Sequence, residues 1–177
     1  MKKSNAMTKA LFTEKQRFSL WWVIPIILIP LAISFWGIVQ QIFLNKPFGD
    51  NPAPDWALIA SFVGPLVLVV FFLSLTLHTR IDQDGITYRF FPVHRREKFI
   101  KWNDVAQVEV RKYKPILEYG GWGFRTGRNG KALNTSGNKG LQIVFNDGKK
   151  LLIGTQKPDE LSRTLEKLDL RNFKINL

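Results

Sequence analysis

The chain has 177 residues, carries 26 lysines and arginines against 14 acidic side chains, and contains no cysteine. The lack of cysteine excludes disulfides, thiolate metal centres and cysteine nucleophiles. His78 and His94 are the only histidines, so a zinc site would need both together with carboxylates, and a Ser-His-Asp arrangement would need one of them. Neither is flanked by such a motif.

The net charge of +12 is unevenly placed. Lys2, Lys3, Lys9, Lys15 and Arg17 stand against Glu14 in residues 1–17, read as a basic cytoplasmic N-terminus. Two uncharged apolar runs follow, at 20–39 and 56–77. At about 1.5 Å of rise per residue each spans roughly 30 Å, the hydrocarbon thickness of a bilayer. Residues 18–79 are therefore read as a transmembrane hairpin, with spans of about 20–44 and 56–77 and an outer loop at 45–55. That loop holds only Lys46 against Asp50 and Asp55, whereas the region from Arg80 onward is strongly basic. Positive flanks stay in the cytoplasm, so both termini are expected inside. Phe18, Trp21 and Trp22, and then Phe43, Phe48 and Trp56, mark the two interfaces. Pro25, Pro30 and Gly37 fall inside the first span, where a kink is tolerated. Ser34, Gly37, Ser61, Gly64 and Ser74 are small enough for helices to approach, within the chain or between copies.

Residues 80–177 form the expected cytoplasmic domain, whose first strand can begin at 76. Period two dominates. Strands at 76–83 and 86–93 flank Asp84-Gly85, a dipeptide suited to a two-residue hairpin turn. Short strands are expected at 98–102, 105–113, near 122–125 and at 131–135. Leu141, Ile143 and Phe145 alternate into a further hairpin turned by Asp147-Gly148. Pro158, Asp159 and Glu160 then open a helix whose Leu161, Leu165 and Leu168 share one face. That face is expected to pack on the sheet and plug one end of a barrel.

The stretches Lys101-Trp102-Asn103-Asp104-Val105, Arg111-Lys112-Tyr113, Tyr119 through Arg125, Gly137 through Gly140 and Ile153 through Pro158 carry a resemblance. They resemble small bacterial membrane proteins with two transmembrane helices and a C-terminal pleckstrin-homology-like (PH-like) domain. The resemblance implies a membrane α-helical hairpin joined to a mainly β PH-like barrel capped by a C-terminal α-helix, in the bacterial plasma (inner) membrane. It supplies no catalytic residues, and phosphoinositide binding does not transfer with the fold.

Segment 119–146 is glycine-rich, carries Arg125, Arg128, Lys131 and Lys139, and has no acidic side chain. A phosphate loop around Gly130-Lys131 would need glycine in place of Arg125 and a hydroxyl residue in place of Ala132. Gly121-Trp122-Gly123 lacks the third glycine of a dinucleotide loop, because Thr126 stands there. Arg80, Arg95, Arg96, Arg125, Arg128 and Lys131 are the candidate basic surface for a partner or for anionic headgroups, each worth about 1 kcal/mol near an anionic leaflet. Tyr113, Trp122 and Phe124 are expected to serve packing and not nucleic-acid stacking. Asp82, Asp84, Asp104 and Glu109 fall where turn chemistry explains them. No catalytic, cofactor or metal residue is assigned. The expected role is non-catalytic binding of a protein partner or a second copy, with anionic-lipid contact. The alternative is a subunit of a membrane enzyme or transport complex whose active residues come from a partner.

Overall fold

The computed structural model describes residues 9–18, 24–127, 129–168 and 174–175. Trp21, Trp22 and Arg128 lie outside them. The chain divides into two compact units, residues 19–74 and residues 1–18 joined with 75–177.

The first unit is a helical hairpin. Helix α1 (Ile24–Ile38) runs into a π-helical turn (Val39–Phe43), and α2 spans Asp55–Ser74. Pro30 and Pro65 lie inside them. Both helices are long and apolar enough to cross a membrane. The hairpin is held by small residues. Ser61 and Ser34 share a hydroxyl hydrogen bond of 2.9 Å. A Cβ on Gly37 would sit 3.0 Å from the Phe48 ring and 3.3 Å from Leu58, so glycine lets these groups close in. Phe35 and Phe62 add a ring contact at 6.1 Å. In the connection, Gln41 Nε2 donates to the Ala53 carbonyl and to Asp55 Oδ1 at 2.8 and 2.6 Å.

The second unit holds two sheets. In the first, β1 (Phe12–Arg17), β2 (Thr76–Ile81), β3 (Gly85–Phe91) and β4 (Lys98–Lys101) form an antiparallel meander. Alternation places Phe12, Leu77, Ile81, Ile86 and Phe90 in the core. The residues expected to form a basic tail before the hairpin thus include a sheet strand. Phe12 pairs with Ile81 and Arg17 with Thr76. The tie to the second sheet is polar. Glu14 is buried, its two carboxylate oxygens accepting from Thr155 Oγ1 at 2.7 Å and from the Gln156 amide at 2.8 Å. Gln16 donates to the Gly154 carbonyl at 2.6 Å and accepts from Thr135 Oγ1 at 3.0 Å.

The β2–β3 hairpin has a two-residue turn, but one residue earlier than expected, at Gln83-Asp84: Ile81 pairs with Ile86, and the Asp82 amide donates to the Gly85 carbonyl at 3.1 Å. Asp82 Oδ1 accepts from the amides of Asp84 and Gly85 at 3.1 Å each, an Asx-type closure. Gly85 has no positive φ. Glycine is needed there because a Cβ would fall 2.0 Å from the Ile100 carbonyl on β4.

The second sheet runs β10–β5–β8–β9–β7–β6, with β5 at Val105–Lys112, β6 at Gly123–Gly127, β7 at Gly130–Asn134, β8 at Lys139–Phe145, β9 at Lys150–Gly154 and β10 at Lys174–Ile175. The β8–β9 turn has Gly148 at φ +80°, as Asp147-Gly148 suggested. β7 lies parallel to β9, and a short helix α3 (Pro115–Tyr119) interrupts the β5–β6 connection. Among the described residues no ladder joins the two sheets, so two mostly β sheets with a C-terminal helix are shown and closure of the expected barrel is not. Helix α4 (Pro158–Lys167) buries Leu161 and Leu165 and touches β1 and β5, one strand from each sheet.

Candidate functional site

The inner face of the second sheet is built from Leu133, Leu141, Ile143, Leu151 and Ile153, all buried. Register puts Lys131 on that same face, opposite Leu151 and two residues before Leu133. Near it the two sheets part into a cleft of about 510 Å³. Tyr88 of β3 and Phe145 of β8 supply aromatic walls, and Lys131, Lys149 and Lys150 supply positive charge. Gly127, Gly130 and Gly148 also line it. Gly130 stands at φ +95°, and a Cβ on it would lie 2.3 Å from the Lys150 carbonyl. Glycine alone lets β7 come this close to β9.

Beside the cleft, His94 stands edge-on to Tyr88 and Phe124, with ring centroids 6.1 and 5.5 Å apart. This stack joins the β3–β4 connection to β6. The imidazole Nδ1 is buried without a hydrogen-bond partner. Burial, followed by the charges of Lys98 and Lys131, lowers the His94 pKa. Burial also lowers that of His78, with Arg89 and Lys15 acting in the same sense against Glu97.

These directions fix the sign of a pH effect. Above the ordinary value of 6.5 both states hold neutral imidazole, and the shift contributes nothing. As pH falls below 6.5 the unfolded chain binds protons first, so stability declines until pH passes the lower folded-state pKa. The β-rich unit is expected to melt at a lower temperature at pH 5.5 than at pH 7.5. His94→Phe should reduce that difference, and an undiminished pH dependence in the variant would assign the effect elsewhere.

The sequence-derived basic residues are not all gathered. Lys131 enters the cleft, whereas Arg95 and Arg96 are exposed in the connection that carries His94. Arg125, on β6, donates from Nε to the Trp122 carbonyl at 3.0 Å. Arg80 faces Asp82 Oδ2 at 3.5 Å within its own hairpin. Lys149, Lys150 and Tyr88 were missed. Alternation could have found Tyr88 as an inner-face residue, but its meeting with β7 and β9 depends on how the two sheets pack.

A second feature lies at α3. Pro115 occupies its first turn and Gly120, at φ +74°, caps it. Ile116 and Leu117 project into solvent, 65% and 79% exposed, with Lys112, Lys114 and Trp122 lining the same shallow depression. The helix is anchored from behind. Arg111 Nη2 bonds Glu118 at 2.7 Å and Gln142 at 3.0 Å, and Tyr113 accepts from Asn134 Nδ2 at 2.9 Å. The Arg111 hydrogen bond holds the Glu118 carboxyl below its usual range, while burial pushes Tyr113 up to about 12. The candidate carboxylates serve structure: Asp82 closes a turn, Asp104 ends a 3-10 turn, and Glu109 lies 4.0 Å from Arg111. No family model matches the chain, and no curated protein shows significant similarity to it.

Proposed function

We propose that this chain is a two-span membrane protein whose β-rich unit is a PH-like domain that binds a protein partner on the cytoplasmic side, with anionic lipid as a secondary contact. The pairing of β1 with β2 carries this reading. The chain leaves the β-rich unit after Phe18 and returns at Leu75, and these residues are joined by an amide-to-carbonyl hydrogen bond of 3.2 Å. An apolar insert that departs and returns at one strand pair must cross a bilayer an even number of times.

Further support comes from the helices, where Ile26, Ile29, Val67 and Val70 are all at least 60% exposed, a composition suited to lipid and not to water. The four-stranded meander, the antiparallel β5–β8–β9 strands and helix α4 after them support the PH-like reading. Exposed Ile116 and Leu117, set among lysines, offer a contact for an apolar partner surface with an acidic rim. The chain's lack of cysteine makes single-cysteine variants direct reporters. In intact cells an impermeant thiol reagent is expected to label Asn51→Cys, and to label Leu117→Cys only after permeabilisation. A crosslinker at Leu117→Cys should then capture one protein stoichiometrically. Labelling of position 117 in intact cells refutes the topology; recovery of the chain alone refutes the partner.

A further inference from the structure

We propose that one end of the first sheet docks on an anionic bilayer leaflet, with Lys15, Arg17 and Arg89 meeting the headgroups and Phe91 and Val93 entering their layer. This docking rests on the two-span reading above and gives its lipid contact a location.

Lys15 pairs with His78 and His78 with Arg89, so one rung across β1, β2 and β3 carries three basic side chains. Paired residues share a face, and Glu14, Gln16, Leu77, Thr79, Tyr88 and Phe90 alternate inward, so this rung points outward. Like charges set directly opposite each other destabilise a strand pair. Packing does not offset that cost, because Lys15 is exposed and Arg89 only half-buried.

The other outward positions of β1, β2 and β3 include Arg17 and Arg80 and no carboxylate. Among the described residues, Lys15, Arg17 and Arg89 have no carboxylate within 4.0 Å, and Arg89 Nε has no acceptor. The acidic charge that His78 feels is Glu97, in the connection before β4. A face kept only for solubility mixes both signs. A face of one sign attracts a surface of the other.

Arg17, Thr76 and Phe91 form the next rung, and the Phe18 amide donates to the Leu75 carbonyl just beyond it. The chain thus leaves for the apolar hairpin and returns at this end of the sheet. The β3–β4 connection starts here too, after Phe91, and exposes Val93, Arg95 and Arg96. Phe91 is exposed as well, and exposed apolar residues rimmed by polar ones mark contact surfaces. Four residues lead from Ser74, the last of α2, to His78, at most about 14 Å of extended chain. The headgroup layer is about 5–8 Å deep, and its field reaches about 8–10 Å further. The basic rung therefore stays within that field, where lysine and arginine are attracted to anionic lipid.

The test uses the full chain in nanodiscs, with a fluorophore on single cysteines and nitroxide-bearing lipid as the quencher; the absence of native cysteine makes each label specific. Val67→Cys on α2 reports the span, Val93→Cys reports docking, and Gln83→Cys marks the turn at the other end of the sheet. Nitroxides deep in the acyl chains are expected to quench position 67 in phosphatidylcholine and phosphatidylglycerol discs alike. Headgroup nitroxides should quench position 93 about twofold or more strongly in phosphatidylglycerol, and position 83 equally in both lipids. Raising the salt from about 0.1 to about 1 M shortens screening from about 10 to about 3 Å and should erase the difference at position 93. Lys15→Glu/Arg89→Glu should erase it too, yet melt no lower than the parent, because carboxylates then flank His78. Lys101→Glu/Lys150→Glu reverses two exposed charges beside the β2–β3 and β8–β9 turns and should preserve it. The salt arm needs no variant and decides the matter even where a reversal fails to fold. An unquenched position 67 refutes the two-span reading and the docking with it. Position 67 quenched, with position 93 indifferent to phosphatidylglycerol or rising together with position 83, overturns the docking alone and leaves the basic face to an acidic protein.

Discussion

Removal of residues 1–17 is expected to unfold the β-rich unit, although the segment reads as a charged tail. Strand β1 supplies one edge of the four-stranded sheet and the polar ties from that sheet to the end of β9. Phe12 is 2% exposed, and truncation of a buried phenylalanine costs about 3–5 kcal/mol. Gln16→Ala would leave the Gly154 carbonyl and the Thr135 hydroxyl without these partners, at about 1–3 kcal/mol. A domain of this size holds only about 5–15 kcal/mol in total. Phe12→Ala/Gln16→Ala should therefore lower the melting temperature sharply or abolish the transition by circular dichroism. Thr13→Ala and Lys15→Ala, which change exposed positions on the same strand, should stay within about 0.5 kcal/mol of the parent. A fragment starting at Leu75 should be unfolded alone and should gain structure when a peptide of residues 9–18 is added. Cooperative melting of that fragment at the full-length temperature would show that β1 is dispensable.

The reason β1 escapes sequence reading is physical. Its inner positions are Phe12, Glu14 and Gln16, and only the first is apolar. Hydrophobic alternation is absent because two of the three inward side chains bond backbone and hydroxyl groups of a segment some 140 positions away. By contrast, β2 through β5, β8, β9 and α4 are legible, since their inward residues are mostly apolar, the β2–β3 and β8–β9 turns carry Asp-Gly, and α4 opens on Pro-Asp. Even there, the chemistry of a turn was less visible than its position: Gly85 reads as a φ requirement but answers to the nearby Ile100 carbonyl. Helix α3 was signalled by Pro115 and Gly120, five residues apart, yet it is too short for periodicity to show. The parallel β7–β9 pairing has no local signature, and the cleft depends on it. Lys131 was visible as a basic residue in a glycine-rich stretch, whereas its place beside Tyr88 needs both sheets.

Leu165→Asp is expected to be the most destabilising single substitution. Helix α4 has ten residues, too few to persist alone in water. Its hold on the fold is Leu161 and Leu165, 1% and 2% exposed, set against β1 and β5. Losing the leucine side chain costs about 2–5 kcal/mol, and a carboxylate in that setting adds a desolvation penalty. Together these approach the whole stability of the domain. The charge component can be separated by pH. Burial raises the folded-state pKa of the introduced carboxyl above its unfolded value of about 3.9, so whatever stability the variant retains is greatest below that value. It is lost as pH rises through the folded pKa. The variant should recover structure between pH 7 and pH 4 relative to Leu165→Asn, which has the cavity and polarity without the ionisation. Arg163→Asp, on the exposed face of the same helix, should melt close to the parent. Equal melting of Leu165→Asp and Arg163→Asp would mean that α4 does not brace the two sheets.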